Sequence, residues 1–191
     1  MMVYLAIMPV VPFETLPANA RVWVFASDRP LRGADADFLL GEVDAWLAQW
    51  KAHGAPLRSA RDWRDDHFLA IGVDPTEEQA SGCSIDALFR RLQDAERQLD
   101  TSLVAGGRVF YRDAGGEPRV ARRGDVAQLS RARSLTAATP AFDTSVTDVR
   151  SWREAFERPA GETWIASLLS RDQESQPSSR SATNASSARK G

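Results

Sequence analysis

Residues 66–99, DHFLAIGVDPTEEQASGCSIDALFRRLQDAERQL, decide how this chain folds. From His67 to Val73 the stretch is apolar on both faces, the pattern of a central strand covered on each side. Pro75 to Gly82 reads as a polar loop that closes in the tight turn Ser81-Gly82-Cys83-Ser84. Ser84 is placed to cap a helix whose apolar positions, Ile85, Leu88, Phe89, Leu92, Ala95 and Leu99, fall on one side.

Working outward, Arg21 to Ser27 (RVWVFAS) is dense in β-branched and aromatic residues and predicts a strand. Pro30 and Gly33 then break the chain. Asp35 to His53 predicts a helix buried on one side, with Leu39, Val43, Trp46 and Trp50 as its stripe. Asp35 and Asp37 at its start and Lys51 near its end suit the helix dipole, and Gly54 and Pro56 are stop signals. Leu57 to Arg64 is a poorer strand, charged on both faces, followed by an Asp65-Asp66 turn. Arg108 to Arg112 is a short strand that ends in the Asp113-Ala114-Gly115-Gly116 turn.

Strand, helix, strand, strand, helix, strand is the split βαβ order, and it predicts an α+β, ferredoxin-like βαββαβ sandwich. In that topology the first and third strands are central, and here they are the apolar ones. The second and fourth, at the edges, carry Arg58, Arg61, Asp62, Arg64, Arg108 and Arg112. Both helices of such a sandwich cover one sheet face, so the other needs a cover. Trp23 and Phe25 share one face of the first strand, Val22 and Val24 the other. A small C-terminal α/β extension is expected to seal the open face. Its elements are a helix over Arg122 to Ala132, a strand over Ala141 to Val146 and a helix over Asp148 to Glu157, with Trp164 beyond them. The division expected is an N-terminal extension (1–19), the sandwich (20–114), a C-terminal subdomain packed on it (117–170) and a serine-rich disordered tail (171–191).

Composition narrows the function classes. The 191 residues are 43% hydrophobic and 26% charged, ordinary for a soluble globular chain. A net charge of −2 supplies no positive field for nucleic acid or an anionic membrane, so neither is an expected partner. HFLAIGVD also lacks the spaced aromatics of an RNA-recognition strand. The apolar run Val3 to Val11 is too short to span a bilayer and is interrupted by Pro9. A single cysteine excludes an internal disulfide and any multi-cysteine zinc or iron–sulfur site, and a reducing, cytoplasmic compartment is the simplest reading.

Cys83 is the candidate catalytic residue. At a helix start, backbone N–H groups and the dipole favour a thiolate, Gly82 permits close approach, and Ser81 and Ser84 can donate hydrogen bonds. The same turn could instead bind a phosphate or carboxylate through its amides. Ser81, Gly82, Ser84, Asp86 and His67 are therefore the candidate ligand- or anion-binding residues. No GxxxxGK[ST] or GxGxxG motif occurs, which argues against a nucleotide cofactor. His67 and His53 with Asp65, Asp66 and Asp74 match no metal-ligand spacing, and no metal or other cofactor is expected.

The stretches WVFASDRPL, WKAHG, DHFLAIGVD, ASGCSIDALFRRLQ and AFDTSVTDVR resemble an uncharacterised bacterial family whose members often carry the automatic label "ABC transporter ATPase". The resemblance covers about Ala20 to Trp164, and Ser81-Gly82-Cys83-Ser84-Ile85-Asp86 is its most specific part. It brings no established activity, and the chain has none of the Walker motifs the label requires. Family members tend to end in a Trp-His-Ala run, whereas here Ile165 and Ala166 follow Trp164. The expectation is a non-catalytic module that binds a protein partner or a small anionic ligand. The alternative is a thiol-dependent enzyme or redox sensor using Cys83. A homodimer through an exposed edge strand is the third reading.

Overall fold

The computed structural model describes residues 10–52, 54–75, 80, 82–104 and 106–169. The chain is a mixed α+β protein with two antiparallel sheets. Its first half forms β1 (Arg21–Ala26), α1 (Ala34–Leu47), the short strands β2 (Lys51–Ala52) and β3 (Ala55–Pro56), β4 (Ser59–Arg64), β5 (Phe68–Val73) and α2 (Gly82–Leu99). The second half forms β6 (Arg108–Arg112), β7 (Pro118–Arg122), α3 (Val126–Arg131), β8 (Pro140–Phe142), α4 (Val149–Glu154) and β9 (Glu157–Pro159).

The first sheet has the order β1-β5-β4, with β5 central and every one of its residues buried. Trp23 pairs with Ile71, and Leu69 with Trp63, in an antiparallel register. Side-chain alternation then makes two cores. Phe25, Leu69 and Ile71 meet α1 and α2 through Leu39, Val43, Leu88 and Leu92. Val22, Phe68 and Ala70 face the other way, against Phe110, Phe142, Trp152 and Phe156. Each fully buried side chain of this size contributes roughly 1.5–3 kcal/mol. The second sheet, ordered β7-β6-β8-β9, thus covers the face that the helices leave open. Its own outer face, Val109, Tyr111 and Ala141, is covered by Val126, Leu135 and Ile165.

Residues before β1 also belong to this packing. Phe13 and Leu16 are buried, and the Val11 amide donates to Ser59 O at 3.0 Å. They lie on Gly72, where a Cβ atom would stand 2.5 Å from Leu16 Cδ1 and 3.2 Å from Phe13 Cε2. The central strand therefore needs a glycine at that point.

Several expectations change. β5 is central and β4 lies at an edge as foreseen, but β1, expected to be central, is the outer strand of its sheet, because the fourth strand, β6, lies in the second sheet between β7 and β8. Both of its edges are used there, because the Asp113–Gly116 turn folds β7 back on it and β8 returns along the other side. Arg108 and Arg112 do not mark an edge. They stand at the two ends of a five-residue central strand, where Arg108 lies 3.5 Å from Asp28 and Arg112 meets Asp65 at 3.0 Å and Glu157 at 2.5 Å.

Helix α1 ends at Leu47, well short of His53. The chain leaves the helix so that Trp50 turns inward, its ring 4.4 Å from Trp46 and 6.0 Å from Trp23. Gly54, at φ +88°, then turns β2 onto β3, so Lys51 is a strand residue. Helix α2 begins at Gly82, which places Ser84 inside its first turn rather than at the cap. Asp148 does cap α4, accepting from the Ser151 amide at 2.8 Å. β7 and β9 were not foreseen. His53, Ser81 and residues 171–191 lie outside the described residues. No helix among the described residues is long and apolar enough to cross a membrane.

Candidate functional site

The seam between the two sheets holds a cavity of about 450 Å³. β1 is the outer strand of its sheet, and two segments crossing to the second sheet tie down its free edge. At one end Ala26 N donates to Leu103 O at 3.2 Å, and at the other Val22 N donates to Thr147 O at 2.8 Å. Val24 lies between these ties and lines the cavity together with Leu103 and Phe110.

The polar wall comes from the second half of the chain. Arg123 is set by a backbone bond from its N–H to Gly107 O at 3.1 Å, and Gly107 holds φ +84°, a conformation that favours glycine. The Arg123 guanidinium lies over the Trp164 ring at 4.4 Å, a cation–π contact. Among the described residues it has no carboxylate partner. Arg108 lines the same cavity but is committed, donating to Ser102 O at 3.0 Å and Ser102 Oγ at 3.1 Å. Thr144 and Ser145 complete the wall.

Carboxylates stand behind this wall rather than in it. Ser145 Oγ donates to Asp143 Oδ1 at 2.5 Å, and Arg158 donates to Asp143 Oδ2 at 2.7 Å. Burial opposes ionisation of Asp143, but the Ser145 hydroxyl and the Arg158 charge outweigh it and hold the carboxyl below its usual range. Asp28 behaves alike: burial raises it, while bonds from Thr101 and Ser102 and the Arg108 charge bring it below the ordinary value. Both carboxylates are thus charged and saturated with partners. None of the residues lining the cavity is acidic, while two are arginines. Such a site suits an anion with an apolar body. No histidine or cysteine lines it to activate a nucleophile.

The residues singled out from sequence lie elsewhere. Gly82, Cys83 and Asp86 are exposed at the start of α2, and Ser84 is half-buried there. No hydrogen bond to the Cys83 thiol is present among the described residues. His67 is buried just before β5, its Nδ1 donating to Ser27 O at 2.9 Å. The two are held apart. Leu99 O at the far end of α2 accepts from Arg29 at 2.6 Å, and Thr101 Oγ1 meets Ser27 Oγ at 3.1 Å. The 18-residue helix is about 27 Å long, so its end lies beside His67's partner while Cys83 lies about that distance away. His67 fixes the end of the sheet and does not serve Cys83 as a base.

Sequence reasoning missed Arg123, Thr144 and Ser145 as site residues, took Arg108 for an edge charge and took Trp164 for plain cover. Gly106-Gly107 was the available signal, since such a pair marks an abrupt turn. Among the described residues no cluster of histidine, cysteine and carboxylate side chains could hold a metal ion. No protein-family model, curated protein or solved structure matches the chain.

Proposed function

We propose that this protein is a non-catalytic binding module that holds a small anionic ligand in the cavity between its two sheets. The first sheet with α1 and α2 is read as a split βαβ unit whose fourth-strand place, beside β1, is left to the cavity. The observation that carries the reading is Arg123, over the Trp164 ring at 4.4 Å with no ion-pair partner among the described residues, in a cavity without a lining carboxylate. Leu103 and Phe110 offer the apolar surface for the rest of the ligand.

A charge-assisted hydrogen bond contributes about 1.5–3 kcal/mol, so losing it weakens binding by roughly 10- to 100-fold. The test is calorimetric titration with 3-phenylpropanoate, a small carboxylate with an apolar body. The wild-type chain is expected to bind it and Arg123→Gln to bind at least tenfold more weakly, with an unchanged circular dichroism spectrum. Equal affinity of the two proteins would overturn the proposal.

A further inference from the structure

We propose that the anion held in this cavity is the carboxylate of an N-acylated amino acid, and that its amide pairs with the open edge of β1 at Val24. The inference rests on the preceding reading of the cavity as an anion site and names the class of ligand. In an antiparallel strand, alternate residues turn both N–H and C=O to the same edge. Val22 and Ala26 both donate across the free edge of β1, to Thr147 O and Leu103 O. Val24 has the same parity, so its N–H and C=O face that edge where it lines the cavity. No strand among the described residues pairs with β1 there.

The two tie points are four residues apart, roughly 13 Å along a strand, which leaves room for one extended peptide unit and little more. A carboxylate alone can accept from the Val24 amide but cannot donate to its carbonyl. In an extended N-acylated amino acid the amide N–H and the carboxylate flank one Cα and face the same side, so the N–H donates to Val24 O, a carboxylate oxygen accepts from Val24 N–H, and two partly buried backbone groups are satisfied together. This is strand addition at its shortest length. The charges select the acylated form, because a free α-ammonium group would meet Arg108 and Arg123 and no lining carboxylate. The carboxylate reaches Arg123, while the side chain lies on Leu103 and Phe110.

The same chemistry occurs in a free N-acylamino acid and at the C-terminus of a peptide, and probes separate them. Full-length protein is titrated with N-acetylphenylalanine, N-acetyl-N-methylphenylalanine, phenylalanine, 3-phenylpropanoate and the peptide acetyl-Ala-Ala-Ala-Phe. N-acetylphenylalanine is expected to bind at least tenfold tighter than the N-methylated compound, which lacks the donor, than phenylalanine and than 3-phenylpropanoate. A further gain for the tetrapeptide identifies a peptide C-terminus as the source. Equal or weaker binding of the tetrapeptide identifies the free acylamino acid. If 3-phenylpropanoate binds in an Arg123-dependent way but the amide adds nothing, this inference is overturned and the anion site stands. If neither 3-phenylpropanoate nor N-acetylphenylalanine binds, both fail.

Discussion

The two sheets are built on different terms. The first uses three six-residue strands, and its central strand is covered on both faces. The second uses strands of five, five, three and three residues, with arginines at both ends of its central strand. Side chains from both meet in one core at Phe68, whose ring lies 4.4 Å from Phe142 and 5.0 Å from Phe156. The longer strands are held between the two helices on one face and the second sheet on the other. The shorter ones are held by turns, by ion pairs such as Arg112 with Glu157, and by the face they cover. The cavity bordered by Val24, Arg123 and Trp164 lies where the two kinds of sheet adjoin, at an edge of the first that the second does not extend.

Breaking the shared core should have the largest effect. Trp152 is fully buried, donates from Nε1 to Asp62 Oδ2 on β4 at 2.8 Å and carries the Arg64 guanidinium over its ring at 4.3 Å. Trp152→Ala is expected to cost about 3–5 kcal/mol, read from the urea midpoint. A single transition at lower urea means that the sheets unfold together, whereas two separated transitions would show that they fold independently.

A smaller effect is expected at Asp143, which belongs to the second sheet's end of the cavity. Asp143→Asn weakens the bonds from Ser145 and Arg158 and should cost about 1–2 kcal/mol at neutral pH, a figure lowered because Arg158 is partly exposed. The folded pKa of Asp143 is depressed, so its contribution is complete above the unfolded value of about 3.9 and is lost as pH falls through the folded value. The difference in melting temperature between wild type and Asp143→Asn should therefore be full at pH 6–7 and shrink below about pH 4. A difference that persists undiminished at low pH would place the effect in packing instead.

The least effect is expected at Cys83, outside both cores. Cys83→Ser should change stability by no more than about 0.5 kcal/mol and leave 3-phenylpropanoate affinity unaltered, since the residue is exposed and remote from the cavity. Alkylation of native protein should proceed as fast as that of the unfolded chain to within about tenfold. Loss of ligand affinity in the serine variant would move the site to the start of α2.

How much was legible from sequence follows the same division. β5 announces itself because a strand buried on both faces must be apolar throughout, and α2 because one face of it must be. β7 escapes because Pro118-Arg119-Val120-Ala121-Arg122 has no alternation that separates it from a loop. Its pairing comes from the Asp113–Gly116 turn, where the Gly115 and Glu117 amides donate to Asp113 Oδ1. The arginines of β6 misled for a related reason, since their carboxylate partners come from 45 to 80 residues away in sequence.

By itself, then, the sequence determined the mixed α+β class, the central strand, the two covering helices and the need for a cover on the sheet face that the helices leave open. Those follow from local periodicity and from the cost of leaving apolar faces in water. Tertiary structure alone decided which sheet takes β6, how far Cys83 stands from His67, and that Val24, Arg123 and Trp164 border one cavity. Their juxtaposition depends on chain crossings that bring together residues 24, 123 and 164, and no local pattern of side chains encodes contacts at such separations.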